Sequence, residues 1–147
     1  MVSAMRFLLL AAALLATPAL APAWAQAPAR PGPVTTLIGA AQATSSGQPV
    51  LLPQGPVQVT LSETTLAPGG ALPAHKHPYP RYAYLLAGRL QVTNLDTGKT
   101  FDAKAGELVL DPVDQWHEAK VMGDEAVRLL TFDQTPPGAA AIIRREP

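Results

Sequence analysis

The 147-residue chain has no cysteine, which removes disulfide staples, a thiolate nucleophile, thiolate metal ligands and any cysteine-linked lipid. Its eleven basic and eleven acidic residues balance, and no basic cluster stands out. Nucleic acid is therefore excluded as a partner, because neutralising several phosphates takes one concentrated Lys/Arg face. There is no glycine-rich phosphate loop and no G-x-S-x-G elbow. Histidine is scarce, with only His75, His77 and His117. No stretch holds a helical period for long, so what is present must be read as strands and turns.

Residues 1–25 read as an export signal. Arg6 precedes the apolar run Phe7 to Ala16, and Ala23-Trp24-Ala25 matches an A-x-A cleavage site that would leave Gln26 first. The run is too short to cross a hydrocarbon core of about 30 Å, so a periplasmic or secreted protein without a stable membrane anchor is expected. Residues 26–55 are rich in Pro, Ala, Gly, Ser and Gln, a leader whose patches Val34 to Ile38 and Val50 to Leu52 could be edge strands or lie over a sheet. Residues 56–135 form the expected barrel. Residues 136–147 form a tail in which Arg144-Arg145 reads as solvated.

The barrel segment alternates with a period of two. Val57, Val59 and Leu61 share one face of a strand, and by parity Glu63 joins them there. Further runs at Arg89 to Leu95, Glu107 to Leu110 and Ala126 to Phe132 are separated by turn signals such as Asp96-Thr97-Gly98-Lys99. Many short strands with regular turns indicate an all-β antiparallel barrel or jelly roll. His75 and His77, spaced i and i+2, present both imidazoles to one side of an extended strand. That is half of a metal site, and His117 is the only imidazole left to complete it.

These residues resemble the cupin superfamily. Gly69, His75, His77 and Gly88 stand in register with its first motif, and Gly106, Pro112 and His117 with its second, where Asp114 replaces a glycine. The resemblance covers residues 57–132. It implies a small double-stranded β-helix with His75, His77 and His117 converging on a divalent transition metal such as iron, manganese, nickel or zinc. It also implies homodimers through barrel faces or swapped N-terminal strands, for which Tyr82, Tyr84 and Leu86 are candidate apolar contacts.

The departure is Arg81, which stands where the family motif has its glutamate ligand. A guanidinium cannot ligate a metal, and one about 6 Å from a divalent ion is repelled by about 5 kcal/mol at an effective dielectric near 20. Three arrangements are open: Arg81 clamps a substrate carboxylate, it pairs with an acid such as Glu63, Asp111 or Glu118, or the site holds no metal. Glu63 is a candidate substitute carboxylate or general base. Gln115 shares the parity of His117, whereas Trp116 has packing parity. Two function classes follow, an enzyme with dioxygenase-type or isomerase-type chemistry on a small anionic substrate, and a non-enzymatic periplasmic module that binds a small molecule or metal. A metal-free epimerase-like cupin is a third.

Overall fold

The computed structural model describes residues 30–146, so the expected export signal lies outside the described residues. The chain divides into two units, 1–34 and 35–147, and the second carries all the regular structure described below. Nine strands follow in order: β1 (Gln58–Leu66), β2 (Ala71–Lys76), β3 (Arg81–Ala87), β4 (Arg89–Asn94), β5 (Thr100–Lys104), β6 (Leu108–Leu110), β7 (His117–Val121), β8 (Val127–Thr135) and β9 (Ile143–Arg144). They form two antiparallel sheets, ordered β1-β8-β3-β6 and β5-β4-β7-β2-β9. No described residue is in an α-helix, and no helix is long and apolar enough to cross a membrane.

Period-two patterning is carried directly into burial. Along β8, Val127, Leu129, Thr131, Asp133 and Thr135 point inward and are buried, while Arg128, Phe132 and their neighbours point outward. The inner faces of both sheets meet in an aliphatic core of Ala83, Leu85, Leu90, Val92, Ala103, Ala119, Val121, Val127 and Leu129. Leu66, Leu72, Phe101 and Val109 pack against it from the edges.

The first strand corrects the parity expected from sequence. Val59 and Leu61 face outward and are more than half exposed; it is Leu66 that packs against the core and Thr64 that lines the cleft beside His75. The reason is that this sheet is apolar on both faces. Leu61 lies opposite Phe132, which lies opposite Tyr82, in one outward row. A hydrophobic run in such a sheet has no inherent preference for the core side.

The leader resolves between its two expected arrangements, and the tail changes its expected role. The patches Val34 to Ile38 and Val50 to Leu52 form no strand; instead a turn at Thr44 to Gln48 closes on itself, and Gln48 grips Val113 through both its backbone groups, at 2.9 and 2.8 Å. The C-terminal tail contributes β9, which pairs with β2 so that Arg144 sits opposite His75.

Gly88 joins β3 to β4 with φ of +73°, and a Cβ there would meet Ala126 O and Val127 Cγ2, both at 2.8 Å. Gly98 has a similar φ, +70°, but nothing within 4 Å. Gly98→Ala is therefore expected to cost about 1–2 kcal/mol from the left-handed backbone alone. Gly88→Ala is expected to cost clearly more, because strand backbone must move as well. Urea midpoints of the two variants check this, and equal losses would contradict it.

Candidate metal centre

The antiparallel pairing of β2 with β7 sets His75 directly opposite His117, and His77 follows two residues later on the same side. All three side chains are buried, His77 completely. Their ring centroids lie 4.4 to 5.1 Å apart, and one nitrogen from each falls within 4.8 Å of the others.

Which nitrogens converge is fixed by the backbone. The Nδ1 atoms of His75, His77 and His117 lie 2.7, 2.9 and 2.9 Å from the carbonyl oxygens of Pro73, Ala141 and Gln115. A carbonyl only accepts, so each Nδ1 carries the proton and donates it. Each neutral ring then has an unprotonated Nε2. The Nε2 atoms of His77 and His117 are buried with no hydrogen-bond partner among the described residues. Buried acceptors without partners are rare because each costs its full desolvation. A divalent metal is the partner this donor set fits, and carbonyl-held Nδ1 protons are the usual way a histidine ligand is aimed.

Burial also keeps the rings neutral. It lowers the pKa of all three, and His77 is pushed down to about 3, with Arg81 adding to the effect.

Arg81 lines the site, and its charge is balanced by an acid the sequence reading did not name. Its Nε and Nη2 each donate to Asp133 at 2.7 Å, a bidentate pair directly across the β3–β8 ladder. On its other side is Asp111, whose backbone N–H donates to the Arg81 carbonyl at 3.0 Å. The side chain of Asp111 approaches His77 Nε2 to 3.5 Å, and burial raises its carboxyl pKa to about 6, with Arg81 opposing the rise.

Glu63 is not part of this group. It faces outward on β1 and pairs with Arg128 at 2.7 Å, consistent with the reversed parity of that strand. Gln115 accepts a hydrogen bond from Asn94 with its side chain and serves His117 with its backbone. Trp116 stands under Lys76 and Arg145, away from the imidazoles.

Two spaces open from the histidines. An inner cavity of about 40 Å³ is lined by aliphatic core residues with His75, His117, Arg81 and Asp111. An outer cleft of about 200 Å³ is lined by His75, Arg81, Thr64, Thr131, Ile142 and Arg144. Arg144, expected as a solvated tail residue, thus borders the site. Asp133 was within reach of sequence reasoning, since extending the β8 alternation by one step places it inward. Nothing local marks Arg144.

The lowered imidazole pKa values give a pH dependence. Between about pH 6.5 and pH 3 the unfolded chain binds protons that folded His77 refuses, so metal-free stability falls as the pH is lowered. Asp111 acts oppositely between about 6 and 3.8, where the folded form takes the proton first. Three imidazoles outweigh one carboxyl, and thermal unfolding of chelated protein is expected to show a falling Tm from pH 6.5 to 4.5. A flat or rising Tm would contradict it. Separately, Asp133→Ala leaves a buried guanidinium unpaired and is expected to cost about 3–5 kcal/mol in denaturant melts.

Comparison with known proteins places this geometry. Residues 62–133 match the family model described as the cupin domain. The chain is 36% identical over 66 residues to the polyketide synthase CurC of Streptomyces cyaneus, covering 44% of this chain and 42% of that protein. Among solved structures it resembles the Lactobacillus farciminis oxalate decarboxylase at a TM-score of 0.51 and 24% identity, covering 58% of this chain and 26% of that one. A mutant oxalate decarboxylase of Bacillus subtilis gives 0.51 and 23%, over 58% and 23% of the two chains. The chain thus spans less than half the length of each of these relatives, and the structural likenesses speak to the fold. Two antiparallel sheets, a family-model match over residues 62–133 and three converging histidines identify residues 62–133 as a cupin domain.

Proposed function

We propose that this is an exported cupin that holds one divalent transition metal through His75, His77 and His117 and acts on a small anionic substrate. The observation that carries the reading is the set of three buried imidazoles whose Nδ1 protons are committed to backbone carbonyls, so that their Nε2 lone pairs converge. A metal bound there supplies Lewis-acid polarisation and open coordination positions, the requirement shared by dioxygenase-type and isomerase-type chemistry.

The chain's own residues set what enters. The inner cavity of about 40 Å³ accommodates only a few non-hydrogen atoms. The outer cleft is lined by two guanidinium groups, and they are not equivalent. Arg81 has one edge committed to Asp133, whereas Arg144 has no carboxylate partner among the described residues. Arg144 is therefore the better anion receptor, and Arg81 acts beside it as a fixed positive wall. Thr64 and Thr131 add hydroxyls on the same cleft. Leu85, Leu90, Val92 and Leu129 exclude water from the inner side.

The test begins with metal analysis of protein purified from its own host. About one equivalent of a single transition metal, lost in His77→Ala, is expected. Turnover or oxygen consumption is then followed on a panel of small carboxylates and diketones, where Arg144→Gln is expected to raise KM roughly tenfold to a hundredfold, the loss of one charge-assisted hydrogen bond. Stoichiometric metal with silence across the panel would favour the non-enzymatic binding module, and full activity in chelator would favour a metal-free cupin.

The outward row of Leu61, Phe132, Tyr82 and Tyr84, with Leu108 and Leu52 beside it, supports a homodimer through this sheet face. Phe132→Arg is expected to shift the sedimentation coefficient to that of a monomer; an unchanged coefficient would remove this face as the interface.

A further inference from the structure

We infer that Asp111 is the carboxylate ligand of the metal centre, entering from the edge of β6 in place of the glutamate that position 81 lacks. The inference rests on the three-histidine reading above and adds a fourth ligand to it.

The first argument is topological. Tyr82 pairs with Leu110 across the β3–β6 ladder, and the next step of that ladder is the bond from Asp111 N–H to the Arg81 carbonyl. Arg81 and Asp111 are thus cross-strand neighbours whose side chains share the inner face. Both line the inner cavity with His75 and His117. The carboxylate is displaced from position 81 by a single inter-strand step of about 4.8 Å.

The second is chemical. Asp111 Oδ2 lies 3.5 Å from His77 Nε2, and both atoms are acceptors, since the ring proton of His77 is committed to the Ala141 carbonyl through Nδ1. A hydrogen bond between them would require an extra proton on one partner, and 3.5 Å is too long for one; His77 Nε2 has no hydrogen-bond partner among the described residues. Two lone-pair donors facing each other at this distance call for a shared cation. With metal–ligand bonds of about 2.1 Å, two donors on one ion stand about 3 to 4.2 Å apart, and 3.5 Å falls in that range.

The third is availability. Asp111 accepts no side-chain hydrogen bond among the described residues, and its natural competitor, the Arg81 guanidinium, is turned to Asp133. The segment that carries it is nonetheless held in place. Pro112 is fully buried, Val113 bridges to His77 and is gripped by Gln48, and Asp114 N–H donates to the His77 carbonyl at 2.8 Å. Asp114 adopts φ of +56°, the left-handed turn for which the family motif uses glycine, and this turn directs the chain from Asp111 back to His117. A carboxylate that is positioned but uncommitted, 3.5 Å from the uncommitted Nε2 of His77, is preorganised to ligate.

The test uses the full protein loaded with Zn(II) and Mn(II). Difference infrared spectra of protein carrying ¹³C-carboxyl aspartate are expected to show aspartate bands shifting on Zn(II) addition, retained in Asp133→Asn and lost in Asp111→Asn. In parallel, Asp111→Asn is expected to weaken Mn(II) binding at least tenfold in calorimetric titrations, and more than Asp133→Asn, which removes a compensating charge beside Arg81 but no ligand. Because the infrared measurement is made on the unsubstituted chain, it stands even if Asp111→Asn does not fold. Protein that binds one equivalent of metal with no aspartate band shift, or an Asp111→Asn variant that binds Mn(II) as tightly as the parent, overturns the fourth ligand and leaves the three-histidine centre standing. Unsubstituted protein that binds neither metal overturns both.

Discussion

The arrangement on which everything else depends is the anchoring of three Nδ1 protons by three backbone carbonyls. An imidazole that is free to rotate or to swap tautomers presents either nitrogen, and three such rings do not make a site. Two of the anchors here are local and share one geometry, because His75 uses the carbonyl of Pro73 and His117 that of Gln115, each two residues upstream. The pairing of His75 with His117 then brings two matched units face to face. His77 does not follow the same rule. Its anchor comes from Ala141, 64 residues later, in the segment leading into β9. A short C-terminal strand that looks dispensable in sequence therefore completes the orientation of the most buried ligand.

Charge is the second constraint, and it explains how an arginine is tolerated beside a cation site. Repulsion of about 5 kcal/mol between a guanidinium and a divalent ion at about 6 Å must be offset by nearby negative charge. The fold supplies it from both flanking strands. Asp133 on β8 holds Arg81 through two bonds of 2.7 Å, and Asp111 beyond β6 stands on the other side. Burying one cation between two acids in adjacent ladders costs desolvation, but it fixes the guanidinium plane.

How far the sequence revealed this differs by residue. His75 and His77 were legible because strand alternation puts both on one side of a strand, whereas their convergence with His117, like the place of Gly88, was implied by the resemblance of the motif spacing. Glu63 was misplaced because the alternation in β1 reports only that two faces differ. It does not report which face is the core when the outer one carries Phe132, Tyr82 and Tyr84 as well. Arg81 was recognised as a departure, but its partner was not, because Asp133 is 52 residues away and becomes a neighbour only through the β3–β8 register. Arg144 was read as tail because β9 is two residues long and has no pattern of its own.

The same register makes the exchange at position 81 intelligible. Moving a carboxylate from β3 to the adjacent ladder position leaves it on the inner face, while the vacated position takes a cation that must then be neutralised. The inner face holds one guanidinium, two carboxylates when both are ionised, and three neutral imidazoles. Its net charge is −1, a divalent ion brings it to +1, and a bound monoanion brings it to zero. A neutral total is the condition under which a buried polar cluster avoids the heavy cost of uncompensated charge in a low-dielectric interior. The placement of Arg144 outside this cluster, on the wetter cleft, fits that balance. It can attract an anion toward the site without adding a further positive charge to the buried face.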